Sequence, residues 1–137
     1  MANSKISLLF SPIKYLNSES IIRQSTEMGI KNIFPTNFQR TVIKKINIDK
    51  FEHYSIGAAQ QCGRTSIPDI RALEKIENRL ELLAYSNVLM FDENLKGSQI
   101  KDIKFNESYK DTIVNIGPEG GFVEEERSLI SKNSKNF

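Results

Sequence analysis

A glycine-rich loop in the C-terminal part of the chain offers the residues best suited to binding a ligand. The loop consists of Gly117, Pro118, Glu119, Gly120 and Gly121 and follows the apolar run Thr112–Ile116. Because glycine lacks a Cβ atom, backbone N–H groups there can approach a ligand closely and φ can be positive. No Lys-Ser/Thr pair follows the loop, which argues against a triphosphate. We predict a ligand site here, with a plain strand-to-helix turn as the alternative.

The other side chains with reactive or metal-binding potential stand alone. His53 is the only histidine, and no second ligand is spaced to share a metal with it, so we predict a solvated side chain and no metal site. Cys62 is the only cysteine, which excludes an internal disulfide. Its place at a helix end could favour a thiolate, but a small core residue is the preferred interpretation. The acidic residues at 124–126 are expected to compensate a helix dipole and not to form a catalytic carboxylate pair.

Composition limits the class of protein. The chain has 137 residues, 39% of them hydrophobic and 26% charged, which suits one globular domain. A net charge of +2 excludes a histone-like polycation. No apolar run approaches the roughly 18 residues of a membrane span, and the first residues lack the apolar core of a signal peptide. We therefore expect a reduced, cytoplasmic protein without a membrane segment.

Short apolar runs alternate with amphipathic segments along the chain. The runs at Ile6–Phe10, 32–35, Asn87–Phe91 and Thr112–Ile116 predict buried strands. Strands that alternate with helices predict an α/β fold with a mostly parallel sheet and flanking helices. Ligands on such sheets bind beyond the carboxyl ends of the strands, which is where the Gly117 loop stands.

Capping residues mark the predicted helices. The first helix is expected to start at Asn17 or Ser18, to bury Ile21, Ile22, Ser25 and Met28, and to end at Gly29. The second is expected to start at Asn47 or Asp49, to bury Phe51, Ser55, Ala58 and Ala59, and to end at Gly63, followed by an extended link over 64–70. Helical spacing predicts a third helix over 73–83 and a last helix over 123–131.

Four stretches together resemble the bacterial small-subunit ribosomal RNA methyltransferase E family of the SPOUT superfamily. Residues 21–30 are similar to that family's helix ending in Glu-Leu-Gly-Val, and residues 38–41, Phe-Gln-Arg-Thr, to its Glu-Arg-Ser segment. Residues 58–64, Ala-Ala-Gln-Gln-Cys-Gly-Arg, with Ile-Pro-Asp-Ile at 67–70, resemble its Glu-Gln-Ser/Cys-Gly-Arg block. Residues 116–122 read Ile-Gly-Pro-Glu-Gly-Gly-Phe, which matches its cofactor loop. One departure is Val123, where the family usually has the Ser that caps the following helix.

The resemblance implies an S-adenosylmethionine-dependent methyltransferase that acts on N3 of a uridine in small-subunit ribosomal RNA. Arg40 and Arg64 would hold RNA phosphates or the negative charge that develops on the uracil oxygens, although Arg64 could instead cap a helix C-terminus. The implied cofactor-binding residues are Met90, Phe91, Ile116, Gly117, Pro118, Glu119, Gly120 and Gly121.

The same resemblance implies segments that this sequence does not contain. The family has an N-terminal PUA-like β-barrel that grips RNA and a C-terminal segment that completes a trefoil knot and builds a homodimer. We therefore expect residues 1–137 to be a partial SPOUT methyltransferase domain with an incomplete knot. The alternative is a non-enzymatic, truncated remnant with at most weak RNA binding through Arg40, Lys44, Lys45 and Arg64. A phosphate-binding signalling domain is the third possibility, and it lacks a P-loop lysine.

Overall fold

The computed structural model describes residues 6–12, 15–41, 45–91, 111–118 and 122–133. Lys44, Glu119, Gly120, Gly121 and residues 92–110 lie outside these residues. The elements in chain order are β1 Ile6–Phe10, α1 Tyr15–Met28, β2 Asn32–Asn37, α2 Ile48–Cys62, β3 Asp69–Ile70, β4 Glu74–Lys75, a 3₁₀ turn Ile76–Arg79, α3 Leu80–Ala84, β5 Asn87–Phe91, β6 Thr112–Ile116 and α4 Glu124–Asn133.

A parallel sheet forms the centre of the molecule. The strand order is β3-β2-β1-β6-β5, and β4 pairs with β2 off this path. Every pairing among the described strands is parallel, with Leu8 beside Ile33 on one side of β1 and beside Val114 on the other. The predicted α/β fold with a mostly parallel sheet is confirmed, and the strands predicted for β1, β5 and β6 have the observed bounds.

Helices cover both faces of the sheet, so alternate residues of a strand enter different cores. Leu9 points to the face covered by α3 and α4, whereas its neighbours Leu8 and Phe10 point to the face covered by α1 and α2. The first core contains Leu9, Phe34, Phe38, Ile76, Leu83, Val88, Ile113, Phe122 and Ile130. The second contains Leu8, Phe10, Ile22, Ile33, Phe51, Tyr54 and Ile70.

Three predicted helix caps are confirmed. Asn47 is the N-cap of α2, and its side chain accepts the Lys50 N–H at 3.2 Å. Gly29 and Gly63, which follow α1 and α2, have φ values of +78° and +79°. Those angles belong to the left-handed region, which favours glycine because a Cβ atom there meets the backbone.

The first helix differs from its prediction in two ways. It begins at Tyr15, so Ser18 is a buried residue inside the helix and Asn17 is not its cap. Met28 is 68% exposed, whereas Ile22 and Ser25 are buried. Met28 stands six positions after Ile22, a rotation of about 240° that places it off the buried face.

The segment after α2 also departs from the sequence pattern. Asp69–Ile70 forms the edge strand β3 instead of a plain link. The helix predicted over 73–83 is interrupted because Glu74–Lys75 pairs with the end of β2, and α-helix is confined to Leu80–Ala84. Cys62 is exposed at the end of α2, so its assignment as a core residue was wrong.

Candidate functional site

The carboxyl ends of β1, β2, β5 and β6 meet at one edge of the sheet, which we call the carboxyl edge. The Ser11 N–H, just after β1, donates to the Ile116 carbonyl of β6 at 3.1 Å. Met90 and Phe91 of β5 pair with Asn115 and Ile116. The predicted ligand-site residues Met90, Phe91 and Ile116 therefore lie side by side, as a parallel sheet requires.

At the start of the glycine-rich loop, packing explains why position 117 requires glycine. A Cβ atom on Gly117 would lie 2.6 Å from the Phe122 ring, which is too close for any side chain. Gly117 does not have a positive φ. Its requirement for glycine is therefore explained by the Phe122 ring and not by a left-handed backbone. Pro118 is buried beside it, and Glu119, Gly120 and Gly121 lie outside the described residues.

Arg40 stands on a tight turn, residues 38–41, directly after β2. The Thr41 N–H donates to the Phe38 carbonyl at 3.1 Å, and the Phe38 N–H donates to the Thr41 hydroxyl oxygen at 2.8 Å. That hydroxyl also lies 2.7 Å from the Ser11 hydroxyl. Because Ser11 and Thr41 are both buried, the turn is fixed to the end of β1 while the Arg40 side chain is exposed.

Glu126 joins this turn to the first residues of α4. Its Oε2 accepts the Gln39 N–H at 2.6 Å, and its Oε1 accepts the Val123 N–H at 3.0 Å. The second bond is one half of a capping box, in which an acidic residue in the first turn reaches back to the N-cap N–H. Glu126 is only 6% exposed, whereas Glu124 and Glu125 are exposed.

Asn115 is a polar residue that is fully buried immediately before the loop. It shares a sheet face with Leu9 and Met90 and has no exposed surface. Within the described ranges, neither its Oδ1 nor its Nδ2 has a hydrogen-bond partner. An unpaired buried amide is costly, and such groups in native proteins commonly mark a bound water or ligand.

Arg64 lies at the opposite edge of the sheet from Arg40. Its Nε donates to the carbonyl of Glu27, in the last turn of α1, at 2.9 Å. The amino ends of the strands are near, because the Lys31 N–H donates to the Ile6 carbonyl at 2.8 Å. A five-residue strand separates the two edges by about 13 Å. The structure therefore does not bring Arg40 and Arg64 together within the chain, and it places Arg64 on a helix C-terminus.

A groove of about 700 Å³ opens beside turn 38–41. Its walls include Asn37, Phe38, Gln39, Ile76, Val123 and Leu129, and Glu126 forms part of its lining. Arg79 belongs to the same 3₁₀ turn as Ile76; it is buried and donates to the carbonyls of Pro35 and Ala72 at 2.9 Å and 2.6 Å. Burial lowers the pKa of Arg79; the Glu74 charge opposes this shift and the Arg71 charge adds to it.

His53 is exposed, as predicted, and no group of three or more His, Cys, Asp or Glu residues among the described residues could hold a metal ion. None of the described helices is long and apolar enough to cross a membrane.

Sequence reasoning missed Glu126, Asn115 and Arg79. Glu126 had a detectable signal, since an acidic residue three positions after a helix N-cap is typical of a capping box. Its contact with Gln39, 87 positions away, had none. Asn115 could have been noticed as an amide in an otherwise apolar strand, but its lack of partners depends on the packing around it.

Curated relatives match nearly all of this chain. A ribosomal RNA small subunit methyltransferase E of Helicobacter pylori is 29% identical over an alignment of 137 positions, which covers 96% of this chain and 57% of that protein. The relative of the same name in Rickettsia conorii is 29% identical and covers 98% of this chain and 56% of its own length. The chain therefore spans a little more than half the length of the curated relatives it matches.

Solved structures share the fold. A ribosomal RNA small subunit methyltransferase E from Neisseria gonorrhoeae, bound to S-adenosyl methionine, superposes with a TM-score of 0.83 at 20% identity, over 94% of this chain and 55% of that chain. A methyltransferase from Legionella pneumophila in complex with the cofactor SAM has a TM-score of 0.78 at 26% identity, over 96% of this chain and 55% of that chain. The predicted SPOUT methyltransferase fold, a mostly parallel sheet with flanking helices, is confirmed, and its incomplete knot stays a prediction.

A family model described as the RNA methyltransferase domain matches residues 1–137, the whole sequence. The parallel sheet, with Gly117 at its carboxyl edge, agrees with this match. The chain belongs to the RNA methyltransferase domain family.

Proposed function

We propose that this chain is the cofactor-binding part of a ribosomal RNA methyltransferase that uses S-adenosylmethionine. The observation that carries the proposal is the junction of β5 and β6 at the carboxyl edge, where the family's cofactor loop begins at Ile116. Support also comes from two structural neighbours that were solved with S-adenosylmethionine bound. The methylated position, N3 of a uridine in the small-subunit RNA, is proposed from the motif resemblance.

The residues present fit the adenosine part of this cofactor. Adenosine combines an apolar ring with donor and acceptor atoms at its edge. Ile116 is 39% exposed and Met90 is half-buried, so both offer apolar surface at the strand ends. Asn115 supplies a donor and an acceptor that lack partners in the described residues. Amide side chains form paired hydrogen bonds with adenine of this kind.

The chain's own residues would bind and orient the reactants. When bound, S-adenosylmethionine supplies a methyl group on a positively charged sulfur. Ile116–Pro118 and the end of β5 would hold the cofactor and orient it for methyl transfer to the substrate. Arg40 would pair with an RNA phosphate or with the charge that develops on a uracil oxygen as N3 loses its proton.

Partners and location follow as proposals from the same function. The substrate is ribosomal RNA or the small ribosomal subunit, which implies a cytoplasmic protein. A homodimer is proposed for the full-length protein from the motif resemblance. Because the chain spans a little more than half of its curated relatives, methyl transfer is proposed for the full-length protein and not for this polypeptide by itself.

Calorimetric titration of the purified chain with S-adenosylhomocysteine tests the proposal. We expect saturable one-to-one binding in the micromolar range, with ATP as a non-binding control. A folded chain that binds no S-adenosylhomocysteine but retains RNA binding would overturn the cofactor-binding role. It would favour the non-enzymatic alternative instead.

A further inference from the structure

The burial of Glu126 distinguishes it from the acidic residues around it. Glu124 and Glu125 are exposed in the same helical turn, whereas Glu126 is 6% exposed. Any of the three would compensate the helix dipole from the surface. Burial of a carboxylate is unfavourable unless strong hydrogen bonds satisfy it, so the buried position needs a further reason.

The two oxygens of Glu126 bind two different segments. Oε1 accepts the Val123 N–H, at the residue after Phe122, whose ring packs against Gly117. Oε2 accepts the Gln39 N–H, at the residue before Arg40. One carboxylate therefore connects the packing partner of the cofactor loop to the turn that presents the substrate-facing arginine.

An aromatic contact joins the same two segments. The rings of Phe38 and Phe122 meet edge to face, with centroids 5.0 Å apart. Both rings are nearly fully buried, at 3% and 2% exposure. The contact makes relative sliding of the two segments difficult, because close-packed interiors move between discrete arrangements.

We propose that Glu126 is a positioning residue that couples turn 38–41, and hence Arg40, to the start of the cofactor loop at Gly117. The cofactor and the RNA in this role rest on the proposed function, whereas the two hydrogen bonds of Glu126 do not depend on it. Binding of the cofactor beside Gly117 then orders the Arg40 turn through Phe122, Val123 and Glu126. The position of Arg40 toward the substrate is therefore fixed once the cofactor is bound.

Amide hydrogen exchange in the ligand-free chain tests the carboxylate bridge. Glu126→Gln keeps one acceptor and replaces the other by an NH₂ group, so at most one of the two N–H bonds survives. We expect exchange of the Gln39 or Val123 amide to become about tenfold faster or more. Glu125→Gln removes the same charge from an exposed position one residue away and should leave both amides unchanged. Unchanged exchange at both amides in Glu126→Gln would overturn the proposal.

A second measurement separates coupling from simple stabilisation. Addition of S-adenosylhomocysteine should slow exchange of the Gln39 amide in the wild-type chain and in Glu125→Gln. In Glu126→Gln the same ligand, at saturation, should leave Gln39 unaffected. Equal slowing in Glu126→Gln would show that the coupling runs elsewhere and would overturn the inference. If the wild-type chain binds no S-adenosylhomocysteine, the proposed function fails, and the ligand-free exchange experiment still decides the role of Glu126.

Discussion

Asn115 is an amide in a place where the neighbouring strands supply Leu9 and Met90. A buried donor and acceptor that lack partners in the described residues make the fold less stable than an apolar side chain of similar size would. Asn115 therefore lowers the stability of the fold beside the glycine-rich loop, and we propose that it serves another purpose there. The proposed use is contact with the adenosine part of the cofactor.

Asn115→Leu should raise the free energy of unfolding by about 1–3 kcal/mol, since it removes the unpaired amide from an apolar core. The same change should weaken binding of S-adenosylhomocysteine, because Leu can neither donate nor accept. Urea denaturation and calorimetry measure the two effects. A stabilised variant with unchanged affinity would show that the amide serves no ligand.

The position of the loop could be predicted from sequence, but the contacts of individual side chains could not. Gly117 stands after an apolar run, and parallel strands place such loops at the carboxyl edge. The Gln39 amide and the Glu126 carboxylate are far apart in sequence, so no local pattern connects them. The motif resemblance implies the same RNA-binding role for Arg40 and Arg64, and the bond of Arg64 to the Glu27 carbonyl is the alternative, a helix C-cap, that the sequence had left open.

At the scale of elements, two helix ends show the same backbone in different surroundings. Gly29 and Gly63 both have φ near +79°, yet a Cβ atom on Gly29 would lie 2.8 Å from the Arg64 guanidinium and one on Gly63 would meet nothing within 4 Å. Gly63→Ala should therefore cost only the left-handed strain, about 1–2 kcal/mol. Gly29→Ala should cost about 1 kcal/mol more, since it also displaces Arg64 from the α1 carbonyl.

Urea denaturation of the two alanine variants, alone and combined with Arg64→Ala, measures this difference. The excess cost at Gly29 should disappear once Arg64 is removed, because the two positions then differ only in sequence context. An excess that persists without the guanidinium would assign it to the backbone and contradict the steric explanation.

The start of α4 has only half of a capping box. Glu126 bonds the Val123 N–H, but Val123 has no side-chain oxygen to return the bond. Val123→Thr keeps the branched shape and adds an acceptor for the N–H of Glu125 or Glu126, so it should stabilise the chain by about 0.5–1 kcal/mol. Val123→Ala, which adds no acceptor, is the control. A Thr variant no more stable than wild type in urea would mean that the lost apolar contact offsets the new cap.

Element boundaries were predictable where local chemistry decided them. Asn47 and Gly63 bound α2 as expected, since caps act within one turn. The helix predicted over 73–83 was wrong in its first part because the pairing of Glu74–Lys75 with Thr36–Asn37 uses backbone groups that a helix would have needed. The local periodicity of the sequence carries no information about pairing with a distant strand.

At the scale of the whole molecule, the two edges of the sheet have different contents. The carboxyl edge carries Arg40, Ile116 and the Asn115 amide, which has no hydrogen-bond partner among the described residues, and it is the proposed binding edge. The amino edge carries the Arg64 bond to Glu27 and the Lys31–Asp111 ion pair at 3.4 Å, both of which join elements to one another. Substitutions at the amino edge are therefore expected to change stability, and substitutions at the carboxyl edge to change binding.

Arg40→Met and Arg64→Met test this separation with the same substitution at opposite edges. Arg64→Met removes a cation from the last turn of α1, which has no basic residue of its own, and should lower the free energy of unfolding by about 1–2 kcal/mol. Its affinity for S-adenosylhomocysteine should stay within about twofold, a difference below about 0.5 kcal/mol.

Arg40→Met should change stability less, since its side chain is exposed, and should weaken binding to a small-subunit RNA fragment. If Arg40 contacts a phosphate, the slope of log affinity against log salt falls by about one in that variant and not in Arg64→Met. Denaturation, calorimetry and RNA binding at several salt concentrations supply the three readouts. An Arg64→Met chain that is as stable as wild type but binds RNA with the smaller salt slope would show that Arg64 contacts RNA and does not stabilise α1. It would mean that the amino edge meets RNA as well, so that the substrate contacts both edges of the sheet.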